Sequence, residues 1–134
     1  MEVKNRMHEN LALCESFSKG SKSLDVTLHI PEEAQDMSEA FMEENFAGSK
    51  KIAALHIPVD RPEKQWPLPH FAALTDMLLS DGRFEVLLTW GPGQLDIVRE
   101  VAAMTSRNPV IAPETHSLKQ YMALIQESDL YFGD

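Results

Sequence analysis

Positive charge is scarce in this sequence: 12 lysine and arginine residues stand against 21 aspartates and glutamates, for a net charge of −9. That balance excludes general nucleic-acid binding, which needs a basic footprint to release counterions. It leaves room for a small anionic ligand, which one or two placed cations and a helix N-terminus suffice to hold. Cysteine is nearly absent. Cys14 stands alone, so no intrachain disulfide forms, as suits a reducing compartment. It falls in a helical pattern and reads as a packed residue rather than a nucleophile. No apolar run approaches the roughly 18 residues of a membrane span, and residues 1–6 are too polar for a secretory signal. No hydrolase motif occurs: there is neither a nucleophile elbow nor a Gly-Lys-Ser phosphate loop. His8, His29, His56 and His70 lack metal-ligand spacing, and neither metal nor cofactor is expected. The pairs Glu32/Glu33 and Glu43/Glu44 read as solvated helix face rather than as a glycosidase pair.

What is present is an alternation of helix-like and strand-like segments in a chain of 134 residues, the size of one domain. Met7, Leu11, Cys14 and Phe17 predict a lead-in helix over 7–18, stopped near Gly20. Residues 25–30 alternate and are β-branched, which predicts a strand with His29 partly buried. Pro31 and two glutamates open a helix whose stripe is Ala34, Met37 and Phe41. Residues 51–57 form a nearly continuous apolar run, the pattern of a strand covered on both faces, with His56 partly buried and hydrogen-bonded. A helix carrying Phe71, Leu74, Met77 and Leu78 follows, then strands over 84–89, 109–112 and from 129 onward, with helices between them on Leu95, Val98 and Ala102 and on Leu118, Tyr121, Met122 and Ile125. Ser117 and Gln120 have capping-box spacing. Strands separated by helices of about 10–15 residues predict βαβ units and a parallel sheet. The expected architecture is an α/β, Rossmann-like parallel sheet with flanking helices over 25–134, preceded by a linker helix over 1–24.

In such sheets ligands bind beyond the carboxyl ends of the strands. Three loops therefore become candidates. The first holds Arg61, Lys64 and Trp66, where a cation suits a diphosphate, although solvated cations and a packing tryptophan explain the same residues. The second is the turn formed by Trp90, Gly91, Pro92 and Gly93, followed by Gln94, whose glycines allow close backbone approach at a helix start; an ordinary strand-to-helix turn would look alike. The third carries His116 just before the cap Ser117, as a base or simply as a surface residue.

Together the run Arg-Pro-Glu-Lys-Gln-Trp-Pro over 61–67, the run Leu-Leu-Thr-Trp-Gly-Pro-Gly over 87–93 and Thr-His-Ser-Leu over 115–118 resemble the C-terminal domain of glycosyltransferase family 9, the heptosyltransferases. The resemblance implies half of a two-domain GT-B fold that binds an ADP-heptose-like nucleotide sugar. It implies that Lys64 holds the donor diphosphate, that Gln94 stands where the family often has a ribose-binding glutamate, that His116 lies beside the adenine, and that Asp134 opens a phosphate-binding Asp-Thr/Ser-Gly-Pro-x-His element. Trp90, Gly91 and Gly93 would shape the same pocket.

The sequence departs from the family in three places. Pro58 and Val59 replace a more permissive Pro-Gly-Ala, Gln94 lacks a carboxylate's charge, and the sequence stops at Asp134. The partner implied is an N-terminal acceptor domain supplying the catalytic carboxylate. Without it the chain alone is expected to be inactive and prone to self-association through an uncovered sheet face. The implied location is cytoplasmic, with peripheral association at the inner membrane, and the implied pathway is lipopolysaccharide core synthesis. A degenerate, non-catalytic binding or assembly module is the alternative, favoured by Pro58, Val59 and Gln94.

Overall fold

Residues 27–133 are described by the structure, a computed structural model. The helix expected over 7–18, Cys14 and Asp134 lie outside the described residues. Within them the order is α1 (Glu32–Asn45), β1 (Lys51–His56), a short 3-10 turn (Pro62–Lys64), α2 (Leu68–Asp81), β2 (Phe84–Thr89), α3 (Leu95–Met104), β3 (Val110–Ile111), α4 (Leu118–Gln126) and β4 (Leu130–Phe132).

The four strands form one parallel sheet in the order β3-β2-β1-β4. Successive residues Ala53, Ala54 and Leu55 are all fully buried. A strand whose side chains alternate between faces can do this only when both faces are covered. The helices pair accordingly, α1 with α4 and α2 with α3. Leu55, Val86, Leu87 and Leu88 of the sheet, with Ile57 just after β1, meet Val98, Val101 and Leu124 of the helices in the core. This is the α/β, Rossmann-like arrangement that the alternating pattern predicts.

Several local expectations change. Residues 27–30 form no strand, and His29 is exposed rather than partly buried. Among the described residues these four join no ladder, although β3 and β4 are both edge strands, so alternation alone does not make a strand there. Helix α1 buries Ala34, Ser38 and Met42, with Met37 and Phe41 flanking. Ser38 faces inward because its hydroxyl donates to the carbonyl of Ala123 on α4 at 3.0 Å, which satisfies it where a serine would otherwise be costly. On α2, Met77 is 64% exposed while Thr75 is buried. Gly82 ends α2 in the left-handed conformation at φ 80°, as the pair Asp81 and Gly82 predicts.

Connectivity fixes where ligands can go. From β1 the chain steps outward to β2 and β3, then returns to place β4 on the other side of β1. The order reverses between β1 and β4, so their carboxyl ends flank a crevice.

Candidate functional site

β1 ends at His56, and Ile57 and Pro58 stay buried before the chain turns outward. Gln65 closes this loop. Its amide nitrogen donates to the carbonyls of Ile57 at 2.8 Å and Trp66 at 3.1 Å, and its carbonyl accepts from the Val59 N–H at 3.3 Å. The 3-10 turn thus held leaves Arg61 and Lys64 exposed at the rim, and among the described residues neither forms an ion pair. Trp66 packs edge-on against Phe71 with centroids 4.9 Å apart, which seats the loop on α2.

β2 leads into the second loop. Trp90 is buried, and its indole N–H donates to the Ala112 carbonyl at 2.9 Å, tying the end of β2 to the segment after β3. The turn closes with Gln94 N–H donating to Gly91 O at 3.1 Å, while the Gln94 side-chain carbonyl accepts from Gly91 N–H at 3.1 Å. Gly93 sits at φ 75°, where L side chains are strained. A Cβ on Gly91 would lie 2.7 Å from the Gln94 carbonyl oxygen. In the third loop Ser117 caps α4, accepting from Gln120 N–H at 3.2 Å. The Gln120 side-chain carbonyl accepts from the N–H of His116, one residue before the cap, at 2.7 Å, which leaves the exposed His116 ring unengaged.

These loops enclose three adjoining cavities. The first, about 470 Å³, is lined by Asp60, Arg61, Lys64, Gly91, Pro92 and Gln94 among others. The second, about 590 Å³, is mostly apolar and lies between the ends of β1 and β4, lined by Lys64, Trp66, Phe71, Leu74, Phe132 and Gly133. The third, about 330 Å³, is bounded by Trp90, Gly91, Pro92, His116, Leu118 and Tyr121. Each falls within the roughly 300–1,000 Å³ of small-molecule sites. Lys64, Trp90, Gly91, Gln94 and His116 therefore share one edge of the sheet. Gly93 shapes the turn without lining a cavity. Among the described residues no group of three metal-ligating side chains converges.

Sequence reasoning missed the residue common to all three cavities, His56. It stands in register with Thr89 at the end of β2. Its Nδ1 lies 3.1 Å from Thr89 Oγ1 and 3.2 Å from the Tyr121 hydroxyl, which in turn lies 3.4 Å from the Tyr131 hydroxyl. Burial pushes the His56 imidazole below its usual range, against an opposing effect of Asp60, so the ring is neutral at physiological pH. Burial raises the Tyr121 hydroxyl, which keeps its proton. The signal for this cluster was the lone polar residue near the end of an apolar strand. Its partners come from β2, α4 and β4, which spacing cannot join.

A family model described as glycosyltransferase family 9 (heptosyltransferase) matches residues 4–134. Two of the similar solved structures are as follows. The glycosyl transferase family 9 protein from Veillonella parvula DSM 2008 superposes with a TM-score of 0.79 at 20% identity, over 92% of this chain and 36% of that one. The ADP-heptose LPS heptosyltransferase II of E. coli superposes with a TM-score of 0.61 at 20% identity, over 78% of this chain and 32% of that one. The chain thus spans about a third of the length of these relatives. Comparison with curated proteins returns no match.

Proposed function

Because the chain belongs to glycosyltransferase family 9, we propose that its described edge binds the activated sugar donor of a heptosyltransferase, an ADP-heptose-like nucleotide sugar. One observation carries this reading: Lys64 and Arg61 share the walls of a single cavity with Gly91, Pro92 and Gln94 at the start of α3. Two cations against one carboxylate, Asp60, leave the lining positive. The turn Gly91–Gln94 brings backbone close to the ligand at the positive end of a helix. Lys64 suits a diphosphate as a compact point charge. The third cavity, apolar and ending at His116, suits the adenine.

Sugar transfer also needs an acceptor hydroxyl aligned with the anomeric carbon and a base to take its proton. These residues supply one wall of such a cleft, so the 134-residue chain binds donor without transferring it, and a separate acceptor domain completes the enzyme. By analogy with the E. coli LPS heptosyltransferase, the pathway is lipopolysaccharide synthesis; the family resemblance implies a cytoplasmic location with peripheral association at the inner membrane. No helix among the described residues is long and apolar enough to cross a membrane.

The test is calorimetric titration of ADP-glucose, an available nucleotide sugar, into the chain and into Lys64→Ala. Loss of a charge-assisted contact predicts about tenfold or greater weakening. Equal affinity for both proteins contradicts the assignment. A second reading, a non-catalytic module of the same fold, is favoured by Gln94, whose carbonyl oxygen is engaged by its own turn. It predicts no measurable affinity in wild type.

A further inference from the structure

We propose that His56 is itself a donor-binding residue, giving a hydrogen bond from Nε2 to a phosphate oxygen in the first cavity, and that Tyr121 is the positioning residue that fixes its tautomer. This rests on the reading of that cavity as a diphosphate site.

The two nitrogens of the His56 ring stand in different surroundings. Nδ1 is turned toward Thr89 Oγ1 at 3.1 Å and the Tyr121 hydroxyl at 3.2 Å. Nε2, on the opposite side of the ring, has no hydrogen-bond partner among the described residues, while the side chain lines the cavity shared with Arg61 and Lys64. Each hydroxyl has one proton to give. Thr89 is buried and can give its proton to the Leu55 carbonyl at 3.4 Å. Tyr131 can give its own to the Tyr121 oxygen at 3.4 Å. Tyr121 has two acceptors in reach, Thr89 Oγ1 at 3.4 Å and His56 Nδ1 at 3.2 Å, and gives its proton to the nearer, His56 Nδ1. A neutral imidazole that accepts at Nδ1 carries its proton on Nε2 and donates there.

The packing agrees. Tyr121 meets the His56 ring edge-on, with centroids 5.6 Å apart and planes at 73°. This contact orients the ring as well as its proton. A Cβ on Gly133 would fall 2.6 Å from the Tyr131 hydroxyl and 3.0 Å from the His56 Cβ, so the glycine leaves room for Tyr131 to fold back over the cluster. Three elements thus converge on a single imidazole at the crevice between β1 and β4.

Two isosteric variants separate the ring nitrogens. The amide nitrogen of glutamine falls near the position of Nε2, and that of asparagine near Nδ1. In ADP-glucose titrations of the 134-residue chain, His56→Gln is expected to stay within about threefold of wild type and His56→Asn to weaken binding about tenfold. Nitrogen-15 NMR of histidine-labelled wild type, which needs no variant, is expected to show the Nε2–H tautomer and a shift of Nε2 on adding ADP-glucose. Tyr121→Phe is expected to return the ring to a mixture of tautomers while the thermal midpoint holds. An Nδ1–H tautomer in wild type, or His56→Asn binding as tightly as wild type while Lys64→Ala weakens, overturns this inference alone. No binding by wild type, or none of the expected loss in Lys64→Ala, overturns the reading of the cavity on which it stands.

Discussion

His56 and Thr89, the last residues of two neighbouring strands, are register partners, and their side chains meet at 3.1 Å between Nδ1 and Oγ1. Parallel pairing of β1 with β2 sets that contact. It also sets the height at which the two following loops leave the sheet, one carrying Lys64 and the other Gly91.

Acidification is expected to weaken the fold through His56. Its folded pKa lies below the unfolded value of about 6.5, because burial disfavours the charged ring. Between the two values the unfolded chain takes up a proton that the folded chain resists. Stability is therefore retained above about pH 6.5 and lost as pH falls below it. Thermal midpoints measured from pH 7.5 down to pH 5 should fall more steeply for wild type than for His56→Gln. Parallel curves would remove His56 as the source.

Thr75 predicts a gain. It is fully buried on α2, and its hydroxyl is without a hydrogen-bond partner. Replacing it with valine keeps the shape and removes an unsatisfied polar group, so Thr75→Val is expected to stabilise by about 1 kcal/mol. That corresponds to a rise in midpoint of roughly 3–5 °C. A lower midpoint would mean that the hydroxyl has a partner in solution.

The turn after β2 depends on Gly93. At φ 75° any side chain is strained, and Gly93→Ala is expected to cost about 1–2 kcal/mol. Chemical denaturation measures it. A cost near zero would show that the turn relaxes to another conformation.

Much of this could be read from the residues. The nearly continuous apolar run over 51–57 predicts a strand covered on both faces, the pair Asp81 and Gly82 a helix end, and Ser117 with Gln120 a cap, because each is a local relation between near neighbours. The edge of the sheet that gathers Lys64, Gly91 and His116 followed from topology. Residues 27–30 alternate without joining a ladder, since alternation states which side chains could share a face and not which strand they pair with. The His56 cluster was illegible for a different reason. Thr89 is 33 residues away and Tyr121 is 65 away, so only the completed sheet and α4 bring them together. The inward face of Ser38 depended likewise on a carbonyl 85 residues on.

Gln94 offers a gain-of-function test of the proposed donor site. Its carbonyl oxygen is occupied by the Gly91 N–H. A carboxylate would keep one oxygen there and free the other for a ribose hydroxyl. Gln94→Glu is expected to tighten ADP-glucose binding about threefold to tenfold. Unchanged affinity in calorimetry would place the ribose elsewhere.

The central claim is that the loops after β1, β2 and β3 form one donor site. Its most direct test is the map of amide chemical-shift changes when ADP-glucose is added to the nitrogen-15-labelled chain. Saturable shifts are expected to cluster at 56–65, 90–95 and 115–121, with those near Lys64 diminished in Lys64→Ala. Saturable shifts confined to the opposite edge of the sheet, around Ser49, Lys50 and Arg83, would contradict it.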